Sequence, residues 1–193
     1  MHTISSLGTA YLSLLSSQYG TLTRSVTACL IAASGDIACQ TANSGGSHAS
    51  NSGGSGGGGK GLDLSRTIKM SAWPLLTTPL VARWYTLLGS RWPRSPLKRM
   101  IADQVLWAPP ATLAMLLFFG GLENRNGSAP VFEAAKEKFI PTITANWAVW
   151  PAVQLVNFAM VPPSLQVLFS NAIGLGWGFY LSKIANPTST KES

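Results

Sequence analysis

The 193 residues suffice for one ordinary domain, yet Lys+Arg number only 14 and Asp+Glu 7, or 11% charged, where a soluble globular chain carries roughly 25%. With 46% apolar residues, that deficit excludes an ordinary water-soluble domain and predicts an all-α, polytopic membrane helix bundle occupying the whole chain, 1–193. The net charge of +7 sits entirely between Lys60 and Arg99, flanked by nearly uncharged apolar runs, which fits charge beside lipid headgroups and argues against a nucleic-acid partner.

Two cysteines, Cys29 and Cys39, are too few for a disulfide framework. The only histidines, His2 and His48, offer no metal cluster. Neither a catalytic constellation nor a cofactor site is expected.

The segment before Leu22 has no basic residue, so it reads neither as a secretory signal nor as an Arg-rich transit peptide. Its Tyr11, Leu12, Leu14, Leu15 and Tyr19 suit a short interfacial helix. The first span is expected over 22–40, with Arg24 and Asp36 near its ends. Residues 41–61 are Gly/Ser-rich and read as a flexible loop. Within them Gly54, Gly59 and Lys60 fit a phosphate-binding loop only by chance, because Gly61 follows and no buried strand precedes.

The second span is placed at 70–82, extended by Lys69 and Arg83, which can snorkel. Residues 104–122, QVLWAPPATLAMLLFFGGL, are free of charge and match the roughly 20 residues that a hydrocarbon core requires. Residues 139–182 are also uncharged, and Pro162-Pro163 divides them into a hairpin of 142–160 and 164–181. The expectation is four spans plus a fifth apolar C-terminal helix.

Polar residues inside such spans cost about 2.5 to 3.5 kcal/mol when charged, so each asks for a partner, a cavity or the interface. Asp36 and Gln40 are one helical turn apart. Asp103 and Gln104 open the third span, where Asp103 can complement the helix dipole. Trp147, Trp150, Gln154 and Asn157 fall on one stripe of the fourth, with Pro151 and Phe158 beside it. These groups either line a water-accessible path or pair helices through hydrogen bonds. On the last helix Ser170, Gly174, Gly178 and Ser182 recur every fourth residue, a ridge suited to close helix packing. Pro74, Pro79, Pro109, Pro110 and Pro151 should bend helices. The tryptophans, and Trp84-Tyr85, read mainly as interfacial anchors.

The string from Asn146 to Ser182 contains W-x-x-W-P-x-x-Q-x-x-N-F-x-x-V-P, from Trp147 through Trp150, Pro151, Gln154, Asn157 and Phe158 to Pro162. It then contains N-x-x-x-x-x-W-x-x-Y-L-S, with Asn171, Trp177 and Tyr180. This resembles the signature of the Mpv-seventeen and twenty-two-kilodalton peroxisomal membrane protein family, which also has mitochondrial inner-membrane members. The resemblance extends through Gly35-Asp36, Gln40, Asp63, Arg66, Pro79, Trp84-Tyr85, Asp103-Gln104 and Ala108-Pro109.

It implies a multi-pass protein of the mitochondrial inner membrane or, alternatively, the peroxisomal membrane. Such a protein is channel-like toward small hydrophilic solutes, works as a homo-oligomer in the lipid bilayer, and has a part in metabolite homeostasis and stress response. A non-conducting scaffold for partners or lipids is the competing expectation. Thr78 and Gln166 depart from the glycine and arginine usual at those places in the family, and the second change removes a charged gate from the Val-Pro turn. The basic run Arg91, Arg94, Lys98 and Arg99 would place its loop on the matrix or cytosolic side, although Lys60, Arg66, Lys136 and Lys138 lie opposite.

Overall fold

The computed structural model describes residues 2–45, 62–123 and 130–185, with side chains described over 8–41, 62–122 and 130–177. In chain order the helices are α1 (His2–Ser16), α2 (Gly20–Gly45), α3 (Leu64–Arg91), α4 (Pro96–Ala102), a π-turn (Asp103–Trp107), α5 (Ala108–Glu123), α6 (Val131–Met160) and α7 (Gln166–Ala185). The fold is all-helical among the described residues. Two stretches, Gly20–Thr41 and Pro96–Leu122, are long and apolar enough to cross a membrane.

Local chemistry sets the boundaries. Asp63 caps α3 by accepting the Arg66 N–H at 2.9 Å, and α3 stops where Trp92, extended ahead of Pro93, leaves the helical region. Ser95 caps α4, with Pro96 in its first turn. The predicted break at Pro162-Pro163 is real: α6 ends at Met160, and Val161 is extended. Interior prolines at 74, 79, 141 and 151 leave α3 and α6 helical throughout. Hydroxyls nearby take up carbonyls of the same helix, as Thr77 does with Trp73 at 2.9 Å and Thr142 with Lys138 at 2.7 Å.

Several expectations need correction. The third long element begins at Pro96, not Gln104, and includes a π-turn, so Asp103 lies about two turns inside it and cannot serve the helix N-terminus. α2 continues to Gly45, so the helix takes in the first residues of the predicted 41–61 loop; 46–61 lie outside the described residues. The expected short N-terminal helix is present as α1: Leu12 and Leu14 are exposed, Leu15 is buried against the bundle, and the Tyr11 and Thr27 hydroxyls are 2.9 Å apart.

Burial is inverted relative to a protein folded in water. Among the described residues twelve buried side chains are polar or charged and ten are hydrophobic. Large apolar side chains such as Leu30, Ile68, Leu76, Leu80, Leu106 and Val156 face outward. Water would reject that surface; hydrocarbon accepts it.

α2 packs along α3 and α7, α5 along α6, and α4 crosses α6. At one end of the bundle Arg24 donates to the Ser164 carbonyl at 3.2 Å and the Leu15 carbonyl at 3.3 Å, joining the α1–α2 junction to the α6–α7 turn. At the other end the Gln40 carboxamide accepts the Asp63 N–H at 2.7 Å, fixing the start of α3 beside the end of α2.

The close approach of α2 and α7 falls at Gly35, where an added Cβ would lie 2.7 Å from Leu175 Cδ2. Gly174, expected to be the packing position, has room: a Cβ there meets nothing nearer than Trp150 Cη2 at 3.9 Å. Gly178 and Ser182 belong to α7, but their surroundings lie outside the described residues. Gly35→Ala forces the Leu175 tip to shift and should therefore destabilise the bundle by about 1 kcal/mol, and Gly174→Ala by less than about 0.5 kcal/mol. Unfolding in detergent micelles followed by circular dichroism checks the difference; equal loss in both variants contradicts this packing.

Candidate functional site

The buried polar residues form two separate clusters. The first joins α2 to α3. Asp36, nearly buried, receives Arg66 Nε at 2.9 Å on one carboxylate oxygen. Its other oxygen accepts the Thr67 hydroxyl at 2.7 Å and Gln40 Nε2 at 2.7 Å. The one-turn spacing of Asp36 and Gln40 is thus borne out as contact. Arg66 and Thr67 occupy the first turn of α3, which Asp63 caps, so one short segment supplies both the counter-charge and the hydroxyl. This cluster is an ion pair with its oxygens occupied.

The second cluster is built where α3, the π-turn, α6 and α7 meet. The π-turn has a local cause: Pro109 and Pro110 have no N–H to give to carbonyls four residues earlier, and the Ala108 N–H bonds to the Asp103 carbonyl five residues back. In this wider turn the successive residues Asp103 and Gln104 are both buried. Asp103 Oδ1 accepts Trp84 Nε1 at 2.9 Å, and Oδ2 accepts Gln104 Nε2 at 3.0 Å and Gln154 Nε2 at 3.1 Å. No Lys or Arg is paired with this carboxylate among the described residues.

From Asp103 the hydrogen bonds continue inward. Gln154 Nε2 also lies 2.7 Å from the Tyr85 hydroxyl, which is 2.9 Å from Ser170 Oγ. Asn157 has no exposed surface. Its Nδ2 lies within 3.2 Å of Gln154 Oε1, Ser170 Oγ and the Gln166 carbonyl. Phe158 sets its ring edge-on to Tyr85, centroids 5.1 Å apart. Trp84 stacks on Trp107 at 5.7 Å.

Of the residues singled out from sequence, Asp103, Gln104, Gln154 and Asn157 therefore converge, while Asp36 and Gln40 sit apart. Trp147 reaches the second cluster from outside, donating to the Gln104 carbonyl at 3.2 Å. Trp84 and Tyr85, expected as interfacial anchors, are members of the network. Ser170, expected as part of a packing ridge, is a hydrogen-bonding hub. Thr67 is a member that the sequence does not mark, because a threonine at a helix start carries no distinguishing signal.

Five buried side-chain atoms pair with nothing in the described protein: Thr78 Oγ1, Gln104 Oε1, Trp150 Nε1, Asn157 Oδ1 and Asn171 Nδ2. Pro79, Pro109, Pro151 and Pro162 shape the helices that carry these groups. Trp177 lies on α7 beside Ile173, facing Val149 across a shallow apolar groove. The side chain of Tyr180 lies outside the described residues.

Comparison with known proteins accords with these positions. Residues 121–182 match the model of the Mpv17 / PMP22 family. The mitochondrial inner membrane protein Mpv17 of Drosophila melanogaster is 37% identical over 64% of this chain and 77% of its own length. Protein sym-1 of Neurospora crassa is 32% identical over 83% of this chain and 89% of its own.

The chain belongs to the Mpv17 / PMP22 family.

Peroxisomal membrane protein 2 of Bos taurus, 32% identical over 64% of this chain and 65% of its own length, represents the family's other membrane. The chain thus stands among the membrane proteins of mitochondria and peroxisomes. No solved structure matches it.

Thr78 and Gln166, the two positions at which the resemblance implies a departure, are both buried. Thr78 brings an unpartnered hydroxyl into the helix interior. Gln166 donates to the Val161 carbonyl at 3.1 Å and so ties the start of α7 to the preceding turn without a charge.

Gln154 holds three partners and Tyr85 two, and only Gln154 bonds to a carboxylate. Gln154→Leu should cost about 1.5–3 kcal/mol, the range for hydrogen bonds to charged groups, and Tyr85→Phe about 0.6 kcal/mol, the mean for membrane interhelical bonds. Equilibrium unfolding of both variants in mixed micelles measures the order, and a reversed order removes Gln154 from the centre of the network.

Proposed function

We propose that this chain is a non-enzymatic, channel-like integral membrane protein. It passes small hydrophilic solutes across the mitochondrial inner membrane or, alternatively, the peroxisomal membrane, and serves metabolite homeostasis and stress response. In this reading α2, α3, the α4–α5 unit and α6 cross the bilayer, α7 is the fifth apolar helix, and several copies of the chain assemble. The names of its relatives support both membranes.

One observation carries the reading. Asp103, a carboxylate with no cationic partner among the described residues, sits at the junction of four helical elements; Gln104 beside it and Asn157, reached through Gln154, each keep a carbonyl oxygen without a donor among those residues. Groups of this kind reach full hydrogen bonding only when water or a hydrated solute comes between the helices. A conducting path along the Asp103–Gln154–Asn157 line supplies that solvent. An intramembrane ionisable group is by default a candidate for a solute or ion path.

A second reading has its own observation. Asp36 is already neutralised by Arg66 at 2.9 Å, and most network groups close on one another within a single copy, as in a scaffold whose polar residues only pair helices.

Planar-bilayer recording of the purified chain distinguishes the two. Conductance above an empty-membrane control at several voltages is expected, and its complete absence, with no uptake of small solutes into liposomes, leaves the scaffold. Under a salt gradient Asp103→Asn should move the reversal potential away from cations. Asp36→Asn should move it less, because Arg66 already compensates that charge; the opposite order takes Asp103 out of the path.

A further inference from the structure

The bundle is electrically lopsided in a way that pairing sharpens. One end holds the α1–α2 junction, the α3–α4 turn and the α6–α7 turn. Its described cations are Arg24, Arg91, Arg94, Lys98 and Arg99, with no carboxylate among them. At the opposite end Arg66 is paired with Asp36, and Lys136 and Lys138 are interleaved with Glu133 and Glu137 on α6.

Two of the five cations at the basic end have structural work. Arg24 donates to the Leu15 and Ser164 carbonyls. Arg99 donates to the Trp92 carbonyl at 2.8 Å and the Pro93 carbonyl at 2.5 Å, locking the α3–α4 turn. The other three, Arg91, Arg94 and Lys98, are exposed and have no ion pair among the described residues. Arg91 holds its guanidinium 6.0 Å from the centre of the Trp92 ring, an amphipathic ring that prefers headgroup depth.

Beside this turn Leu87, Leu97 and Ile101 are all at least half exposed. A soluble anion uses the cations and leaves such an apolar flank wet. A molecule with a phosphodiester and acyl chains covers both.

We propose that the α3–α4 turn is a docking surface for anionic phospholipid, the headgroup phosphate among Arg91, Arg94 and Lys98 and the chains along Leu87, Leu97 and Ile101. The site stands whether or not the chain conducts. It also orients the protein, with the basic end on the matrix or cytosolic side, because uncompensated Lys and Arg remain there on insertion. Each basic side chain near an anionic surface contributes on the order of fivefold in attraction.

The test reconstitutes the full chain in phosphatidylcholine vesicles with or without phosphatidylglycerol, and measures by spin-labelled lipid how strongly the protein prefers the anionic species. The wild type should prefer it several-fold. Arg91→Gln/Arg94→Gln/Lys98→Gln should lose most of that preference, and Lys136→Gln/Lys138→Gln at the other end should keep it. Raising ionic strength from about 0.05 to about 0.5 M should weaken the wild-type preference by screening, a readout that needs no variant to fold.

A triple variant as selective as the wild type overturns the site, as does equal loss in the opposite-end variant or a preference indifferent to salt. Displacement of the labelled lipid by millimolar inorganic phosphate or glycerol phosphate would reassign the turn to a soluble anion and likewise overturn the lipid assignment.

Discussion

In hydrocarbon a polar side chain has no partner except another part of the protein. Much of this structure follows from that restriction. It puts Asp36, Asp103, Gln104, Gln154, Asn157 and Ser170 inside and leaves leucines and valines outside. It also makes hydrogen bonds, more than apolar burial, the contacts that specify which helices are neighbours. Tyr85 can meet Ser170 and Gln154 only if α3, α6 and α7 adopt one mutual register.

The two buried carboxylates show two ways of meeting the restriction. Asp36 lies near one end of the bundle, where a half-exposed arginine can reach in and cancel its charge. Asp103 lies deeper and is met by three N–H donors from tryptophan and glutamine. Donors of this kind spread the negative charge without cancelling it, so the second cluster retains a net field and the first does not. The two therefore differ in chemistry: one fastens α2 to α3, and the other offers a polarised surface within the bundle.

The sequence made some of this legible. Charge-free runs located the hydrophobic segments, the proline pair located the α6–α7 break, and three-and-four spacing put Gln154 and Asn157 on one buried stripe. What stayed hidden depended on register between helices. Tyr85 and Trp84 look like membrane-interface anchors because their polar tips are silent about direction; only the position of Asp103 across the helix pair turns them inward. The π-turn was equally hidden. Pro109-Pro110 announces missing donors, but does not by itself say whether the chain bends, breaks or widens, nor that Asp103 and Gln104 will both be buried against α3 and α6. The small-residue ridge divides: Ser170 is buried against Tyr85 and Asn157, Gly174 keeps room for a Cβ, and Gly35, outside that pattern, meets Leu175 closely.

Arg24 links segments far apart in the sequence, for its acceptor at Ser164 comes 140 residues further along the chain. A ribosome producing this protein must deliver most of it before that guanidinium can take its final place. Until then the guanidinium has the Leu15 carbonyl, nine residues before it, as its nearby acceptor. The second acceptor of Arg24, and with it the closure of the bundle at this end, is supplied by the α6–α7 turn.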